Sequence, residues 1–371
     1  MKRRDFIKII GGTLIFPSLE LTKLNAQGLT FSYELSSHEA RYYKKLPERR
    51  VQCLLCPREC IVGDKERGYC GVRENRGGKY VTLVYGRPVT VALDPIEKKP
   101  LFHFLPGKQA FSIATAGCNV NCKFCQNWQI SQVRPEQVRS LNLPPEATAR
   151  LAYRYHAPII AYTYTEPIVF AEYMLDTARE ASRRGIRNVI VTGAHVLPEP
   201  WKDIVSAMDG IKIDLKAFTE EFYQRIVRGH LKPVLDAIVA AAKSGKWLEI
   251  VYLVIPTLND NLDNIRKMSR WLVREVGRDV PVHFSRFFPM YMLKNLPATP
   301  VKTLESAREV AMSEGLKFVY VGNIPGHPGE STYCPRCGKT IIKRVGYEIK
   351  EIHIKNGKCE YCGEPIPGVW S

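Results

Sequence analysis

The stretch Cys118-Asn-Val-Asn-Cys122-Lys-Phe-Cys125 places three thiols in the spacing C-x3-C-x2-C, on a loop that follows the apolar, strand-like residues 111–116. A structural zinc site needs four ligands, and a cubane [4Fe–4S] cluster has four irons to satisfy. Three thiolates therefore leave one iron of such a cluster free to bind a substrate or cosubstrate. The alternatives are three unrelated buried thiols, or a zinc site with a distant fourth ligand.

This spacing, with Phe124 before the last cysteine, resembles the signature of the radical S-adenosylmethionine (SAM) superfamily. The resemblance implies that Cys118, Cys122 and Cys125 hold a [4Fe–4S] cluster whose open iron chelates SAM. It further implies that one electron from the cluster cleaves SAM to methionine and a 5′-deoxyadenosyl radical, which abstracts hydrogen from a substrate.

The bulk composition is that of an ordinary globular protein. The chain has 371 residues, of which 45% are hydrophobic and 25% charged, so it can form a full core and small satellite domains. The formal net charge of +17 suggests a nucleic-acid partner, but Lys and Arg are spread along the chain without a long run. A solvated basic surface is the preferred interpretation, and nucleic-acid binding is the alternative.

Alternating strand-like and helix-like runs between residues 111 and 324 predict a parallel sheet. The predicted strands are residues 111–116, 159–164, 188–192, 211–215, 248–255 and 280–284. The predicted helices include residues 168–184, 233–243, 262–275 and 303–314. Six such units predict an α/β fold, an open radical SAM (β/α)6 partial barrel over residues 109–326. Residues 79–91, broken by Gly86-Arg-Pro88, predict a hairpin that precedes it.

Chemistry in such barrels lies at the carboxyl ends of the strands. Tyr162-Thr-Tyr-Thr165-Glu166-Pro167 resembles the Gly-Gly-Glu-Pro segment of radical SAM activases, with Tyr164 and Thr165 in place of the glycines. That resemblance implies that Glu166 holds the SAM ammonium, and a carboxylate is its natural partner. The alternative is that Glu166 simply begins a helix.

Two further segments resemble glycyl-radical-enzyme activases. In Lys212-Ile-Asp214-Leu-Lys216, the alternation directs Asp214 and Lys216 to one face of a strand. The turn Pro256-Thr-Leu-Asn259-Asp260 resembles one that lies near the adenosine in those relatives. The resemblance implies that Asp214, Lys216 and Asn259 line the nucleoside side of the SAM site. Three residues near the same edge receive no assigned role: His195, His283 and Arg286.

Two four-cysteine groups flank the predicted barrel, and with the central three they account for all 11 cysteines. The N-terminal thiol group, in residues 31–108, suits either an iron–sulfur cluster or zinc. The C-terminal thiol group, in residues 327–371, consists of two C-x2-C turns that are each followed by Gly. It predicts a zinc ribbon or rubredoxin-like module, with zinc preferred over a single iron. The N-terminal group is Cys53, Cys56, Cys60 and Cys70, and the C-terminal group is Cys334, Cys337, Cys359 and Cys362.

The first thirty residues contain Lys2-Arg3-Arg4-Asp5-Phe6-Ile7-Lys8 and then a short apolar run. They resemble a twin-arginine export signal, which predicts a periplasmic or extracytoplasmic location. The alternative is a basic start without a targeting role, in a cytoplasmic protein. The apolar run is too short to span a bilayer, so no transmembrane helix is predicted.

The order of these segments, ending in Ile366-Pro-Gly-Val-Trp370, resembles the AmmeMemoRadiSam system radical SAM enzymes, relatives of the pyruvate formate-lyase activating enzyme. The resemblance implies an activating-enzyme-like oxidoreductase that acts on an unidentified substrate, with a protein as one expectation. It also implies an electron donor of flavodoxin or ferredoxin type and association with AMMECR1-type and Memo-type proteins. The alternatives are a radical SAM RNA-modifying enzyme and a non-catalytic redox or metal-carrying scaffold.

Overall fold

An eight-stranded sheet organises the fold, and its last seven strands in chain order run parallel. The computed structural model describes residues 31–371, so the predicted export signal lies outside the described residues. The strands follow one another across the sheet in chain order, and the first is antiparallel to the second. They are β1 (Thr90–Pro95), β2 (Gln109–Ala114), β3 (Ile159–Tyr162), β4 (Arg187–Thr192), β5 (Gly210–Asp214), β6 (Trp247–Val254), β7 (Val282–Arg286) and β8 (Val319–Gly322).

Amphipathic helices alternate with the parallel strands and pack against the sheet. In the helix over residues 262–275, Ile265, Met268 and Leu272 are buried at a helical spacing, and Asn261 caps the first turn by accepting from two backbone N–H groups. No helix within residues 31–371 is long and apolar enough to span a bilayer. The six longest helices described are α1 (Pro145–Arg154), α2 (Ala171–Ser182), α3 (Pro198–Ala207), α4 (Leu231–Lys243), α5 (Leu262–Glu275) and α6 (Val301–Ser313).

Shorter elements complete the described part of the chain. Small sheets pair Phe31–Ser32 with Ser140–Leu141 and Ile354–Lys355 with Lys358–Cys359. The three-stranded sheets consist of Tyr43–Lys45, Val51–Cys53 and Ile61–Val62, then His38–Glu39, Lys79–Thr82 and Arg73–Arg76, then Thr332–Tyr333, Thr340–Val345 and Glu348–Ile352. The short helices are Ile96–Lys98, Trp128–Ser131, Pro135–Gln137, Pro167–Phe170, Glu220–Phe222, Tyr223–Val227 and Pro328–Glu330.

The structure corrects two predictions about the strands. The sheet has seven parallel strands rather than six, because β8 adds a short apolar strand at its edge. The predicted hairpin over residues 79–91 is wrong, since Lys79–Thr82 and β1 belong to different sheets. The residues between them do not form a hairpin turn. The carbonyls of Gly86 and Pro88 instead accept hydrogen bonds from the backbone of Leu143 and Leu141.

The residues before β1 pack on the main sheet through a buried ion pair. Arg73 and Glu172 both have 0% of their side chains exposed, and their closest nitrogen and oxygen are 2.5 Å apart. Glu172 also accepts from the backbone N–H of Arg41 at 2.8 Å. Because Glu172 lies in α2, this pair fixes the N-terminal sheets against the helical layer that covers the main sheet.

A second polar network lies near the amino ends of the strands. Residues 101–105, here called the strap, cross this end of the sheet, and the Glu249 carboxylate accepts from the backbone N–H of Phe102 and His103 at 3.0 and 2.8 Å. Glu249 also accepts from Trp247 Nε1 and lies 2.7 Å from His283 Nε2. The network therefore ties the strap to β6 and β7 with every partner buried or half-buried.

The C-terminal residues close over the strap. Leu105 N–H donates to the carbonyl of Val369, and Val369 N–H donates to the carbonyl of His103, both at 2.7 Å. His103 Nδ1 lies 2.7 Å from the Pro367 carbonyl, while its Nε2 lies 2.6 Å from Tyr320 Oη. A carbonyl only accepts, so Nδ1 carries a proton, and the Tyr320 hydroxyl can donate to Nε2 when His103 is neutral.

We expect folding stability to fall as pH decreases from about 6.5 to about 4. Burial lowers the pKa of His103 to about 4, whereas an unfolded histidine has a pKa of about 6.5. The folded state therefore binds fewer protons, and the stabilisation is complete above the higher value and lost below the lower one. By linkage the effect is about 2 kcal/mol at pH 5.

Urea denaturation of wild type and a His103→Gln variant, at pH 7 and pH 5, measures this contribution. Glutamine keeps a donor and an acceptor but does not titrate, so its stability should fall less with acid. Parallel losses in the two proteins would contradict the assignment.

Candidate metal and cofactor site

The three central thiols lie on the cysteine loop, residues 117–125, just beyond the carboxyl end of β2. The loop is held by hydrogen bonds from Asn121 N–H and Lys123 N–H to the carbonyls of Val227 and Ile226, at 3.1 and 3.0 Å. Cys125 Sγ lies 3.1 Å from Ser131 Oγ. The short Tyr223–Val227 helix therefore braces the loop from the β5 side.

The environment of these thiols favours metal ligation. Burial raises the pKa of Cys118 well above its ordinary value, and the neighbouring Glu166, Cys122 and Cys125 raise it further. Burial also raises the pKa of Cys122 to about 12. Neighbouring thiols that are this buried can ionise together only if a cation compensates their charge. The donor set of three sulfurs thus suits the cluster that the sequence predicts.

The structure brings Glu166 to the cysteine loop. Glu166 is 4% exposed, and its carboxylate accepts from Thr192 Oγ1 at 2.5 Å, from Gly193 N–H at 2.8 Å and from Ile168 N–H at 3.2 Å. Burial raises its pKa despite these donors. Glu166 therefore caps the short helix that begins at Pro167, as the alternative interpretation expected, and it also faces Cys118.

Asp214 and Lys216 share one face at the end of β5, as the alternation predicts. Lys216 Nζ lies 3.4 Å from Asp214 Oδ2, and Lys212 Nζ contacts the other carboxylate oxygen. Burial opposes the charge on Lys216, yet Asp214 and Cys122 hold its pKa above the usual range. Burial likewise opposes the charge on Asp214, but the two lysines lower its pKa. A cation and an anion therefore face the cysteine loop side by side.

Asn259 lies next to this pair but its side chain is already engaged. Its amide donates to the carbonyls of Lys216 and Leu253 at 2.8 and 2.9 Å, and its oxygen accepts from Ile255 N–H at 2.6 Å. Asn259 is 4% exposed. These bonds join the carboxyl ends of β5 and β6, so in this structure Asn259 positions the Lys216 backbone.

Tyr164 has an unusual backbone conformation that its contacts stabilise. Its φ of 65° lies in the left-handed region that favours glycine. Three contacts hold it there: Asn127 Nδ2 donates to its carbonyl at 2.7 Å, its hydroxyl donates to Asp94, and Lys99 Nζ lies 4.2 Å from its ring centroid. The side chain thus compensates for the strained backbone.

Sequence reasoning missed Lys212 and Thr192 as parts of the site. Lys212 lies two residues before Asp214 on the same strand face, so the alternation could have identified it. Thr192 reaches Glu166 from the neighbouring strand β4, and no local pattern indicates such a pair. The unassigned His195 is 3% exposed and its Nδ1 has no hydrogen-bond partner within the described residues. His283 instead lies in the Glu249 network, and Arg286 donates to the Thr299 carbonyl.

The C-terminal thiol group has the geometry of a single-ion site. Its four ligand atoms all lie within 4.8 Å of one another, and no other group of three or more candidate ligands in residues 31–371 is that compact. Two Sγ–Sγ distances are 3.6 and 3.9 Å, and a tetrahedral ion with metal–sulfur bonds of about 2.3 Å requires about 3.8 Å. The Lys339 backbone N–H lowers the pKa of Cys337 to about 7, which favours the thiolate.

Replacing Cys337 with alanine is expected to remove about one metal ion per chain, because a structural site needs all four ligands. The metal content of the purified variant, measured by mass spectrometry of the elements, tests this. Tyr361→Ala, an exposed neighbour, serves as the control and should keep its ion. An unchanged metal content in Cys337→Ala would contradict the assignment.

The N-terminal thiol group also converges on one place. Cys53 ends the strand Val51–Cys53, and its backbone N–H donates to the Cys60 carbonyl at 2.9 Å. Burial raises the pKa of Cys56 to about 11 and that of Cys70 to about 12, and in both cases other thiols of the group contribute. Among the described residues, no three of these four sulfurs meet the 4.8 Å spacing of the C-terminal group.

Comparisons with known proteins give a family match over the residues that form this site. Residues 112–269 match the Radical SAM superfamily. An uncharacterized protein of Methanocaldococcus jannaschii is 44% identical over 330 residues, which cover 88% of this chain and 98% of that protein. A probable RNA methyltransferase of Rhodopseudomonas palustris is 24% identical, covering 76% of this chain and 80% of its own. The pyruvate formate-lyase-activating enzyme of Clostridium pasteurianum is 21% identical, covering 41% of this chain and 65% of its own.

Proposed function

Because residues 112–269 form a radical SAM superfamily domain, we propose that the chain binds a [4Fe–4S] cluster at Cys118, Cys122 and Cys125 and cleaves SAM to abstract hydrogen from a substrate. The observation that carries the proposal is the convergence of the cysteine loop with Glu166, Asp214 and Lys216 at the carboxyl edge of the parallel sheet. This edge is where such folds hold their ligands.

The chemistry of the bound cofactors is reductive cleavage of SAM to methionine and a 5′-deoxyadenosyl radical. The chain's own residues bind and orient. Glu166 presents a carboxylate to the SAM ammonium, and Lys216 offsets negative charge beside Cys122. Asp214 keeps Lys216 charged, while Asn259 fixes the strand end that carries both. The buried walls around these groups exclude water, which strengthens each of these electrostatic interactions.

A protein substrate, as in activating-enzyme-like members, is supported by the surface near the cysteine loop. Four large apolar side chains from the loops after β2, β6 and β7 are exposed by 36–57%, and Met292 N–H bonds directly to the Lys123 carbonyl of the cysteine loop at 2.9 Å. Exposed apolar groups beside a site are typical of protein-binding surfaces. The four side chains are Trp128, Leu258, Phe288 and Met292.

We further propose membership of the AmmeMemoRadiSam system, with AMMECR1-type and Memo-type partners and an electron donor of flavodoxin or ferredoxin type. The proposed arrangement is an export signal over residues 1–30, an N-terminal metal module over 31–108, a radical SAM core over 109–326 and a C-terminal zinc module over 327–371. The motif order of the sequence supports this arrangement, together with the compact C-terminal thiol group.

RNA modification is a second candidate, favoured by the likeness to a probable RNA methyltransferase and by the net charge of +17. The salt dependence of RNA binding distinguishes an RNA-modifying enzyme from one that acts on a protein. Affinity for RNA that falls steeply with salt would support this candidate, because neutralised phosphates release counterions.

The central proposal is tested by anaerobic reconstitution with iron and sulfide, followed by reduction with SAM present and mass spectrometry of the products. We expect 5′-deoxyadenosine and methionine from the reconstituted protein and neither from the metal-free protein. A fully loaded, reducible cluster that leaves SAM intact would overturn the proposal and favour a metal-carrying scaffold.

A further inference from the structure

The N-terminal thiol group lies beside two buried side chains that each have a donor atom without a hydrogen-bond partner among the described residues. Arg73 and Tyr80 are both 0% exposed, and within residues 31–371 neither Arg73 Nε nor Tyr80 Oη has a hydrogen-bond partner. Both face the thiols: Arg73 interacts with Cys53 and Cys70, and so does Tyr80. Leaving such groups unpaired is costly, so they indicate that an acceptor binds between them and the thiols.

The absence of a side chain at Gly68 leaves room beside Tyr80 and Cys60. A Cβ atom at Gly68 would lie 2.7 Å from Tyr80 Oη and 3.7 Å from Cys60 Sγ. Gly68 therefore allows the tyrosine hydroxyl and this thiol to approach the same space. The Tyr69 N–H also donates to Cys60 Sγ, at 3.4 Å. Four thiols, a guanidinium, a hydroxyl and an amide thus surround one position, which suits an anionic metal–thiolate group.

The distances between the sulfurs indicate whether a thiol group suits a single ion or a cluster. The C-terminal thiols are already as close as one tetrahedral ion requires, whereas the N-terminal thiols converge without reaching that spacing. A cluster holds its thiolates further apart because several irons and sulfides lie between them. Inorganic sulfides would also supply acceptors for Arg73 Nε and Tyr80 Oη.

The N-terminal thiol group is in direct contact with the cysteine loop. Gly117 directly precedes Cys118, and a Cβ atom added at Gly117 would lie 2.8 Å from the Cys70 carbonyl oxygen. On the other side of Cys118, the Asn119 carbonyl accepts from Arg58 Nε at 2.6 Å, and the Asn119 side chain is an electrostatic neighbour of the Cys56 thiol. Two ligands of one group therefore flank a ligand of the other.

We propose that Cys53, Cys56, Cys60 and Cys70 hold a second iron–sulfur cluster, with Arg73 and Tyr80 as donors to it, through which electrons enter the site at Cys118. The entry role rests on the function proposed above, but the cluster itself does not. A donor protein of the flavodoxin or ferredoxin class reduces the second cluster by one electron. The second cluster then passes that electron to the Cys118 site and is reoxidised, and no atoms are transferred.

The test uses the full chain carrying Cys118→Ala, Cys122→Ala and Cys125→Ala, reconstituted anaerobically with iron and sulfide. We expect this triple variant to retain acid-labile sulfide, iron and an electron paramagnetic resonance signal on reduction. Adding Cys60→Ser and Cys70→Ser should remove all three. A triple variant that holds only zinc, or no sulfide, would overturn the proposal. If wild type fails to cleave SAM while the triple variant keeps its cluster, only the function proposed above is lost.

Tyr80→Phe supplies a test that does not disturb the ligands. Loss of a hydrogen bond to the cluster is expected to lower its midpoint potential, since such bonds stabilise the more negative reduced form. Thr82→Val, which removes a neighbouring buried hydroxyl on the same strand, is the matched control and should leave the potential unchanged. The potentials are measured in the triple variant itself and in the triple variant with Tyr80→Phe or Thr82→Val added. Equal potentials in all three proteins would contradict the role of Tyr80.

Discussion

Replacing Cys122 with alanine is expected to reduce 5′-deoxyadenosine formation to the background of the metal-free protein. Cys122 is 7% exposed and is an electrostatic neighbour of Cys118, Cys125 and Lys216. Without it, two thiolates remain for four irons, and the positive charge of Lys216 loses its partner on the cysteine loop. Product is measured by mass spectrometry after reduction with SAM, together with the iron content of the variant.

The control for this experiment is Cys362→Ala, which removes a thiol from the C-terminal thiol group. That group packs at the far end of the chain with its own small apolar cluster. We expect the control to lose its single ion and keep deoxyadenosine formation. Undiminished product from Cys122→Ala, or equal loss in the two variants, would show that the cysteine loop is not the site of cleavage.

Replacing Glu249 with leucine is expected to destabilise the protein by about 3–5 kcal/mol, the usual cost of removing one partner from a buried charged network. Glu249 is 0% exposed, and four donors converge on its carboxylate. Leucine leaves all four without an acceptor in a site that water does not reach. Urea denaturation of the metal-loaded protein measures the loss.

Glu249→Gln is the matched variant for that prediction. Glutamine has nearly the same shape and keeps one carbonyl oxygen as an acceptor, so its loss should be smaller than that of leucine. A change below about 1 kcal/mol for leucine, within the range of ordinary surface substitutions, would show that the network contributes little.

Regular parts of the fold were accessible from the sequence because they depend on local periodicity. The helix predicted over residues 262–275 has those limits in the structure, where an apolar stripe and the Asn261 cap coincide. The hairpin prediction failed for the opposite reason. Residues 86–88 contain turn-forming Gly and Pro, but their partners are residues 141–143, and a pairing so distant in sequence leaves no local pattern.

In the candidate site too, some features follow from a local sequence pattern and others depend on the fold. Alternation along β5 correctly placed Asp214 and Lys216 on one face, since that geometry belongs to a single strand. The bond between Thr192 and Glu166 joins β4 to the loop after β3, so it depends on how the two strands lie side by side. The unpartnered Arg73 and Tyr80 are recognisable only once burial is known. Ligand-bearing loops could be predicted from sequence, whereas the residues that surround them required the fold.

The contact between the strap and the C-terminal residues has a consequence for the order of events during synthesis. His103 and Pro367 are 264 residues apart in sequence, so the ribosome produces the strap long before the segment that covers it. The parallel sheet pairs neighbours in chain order, and each strand can join as it is made. Closure over the strap must therefore come last. A chain cut off before residue 367 leaves the polar network beneath the strap open to water, which distinguishes it from a complete one.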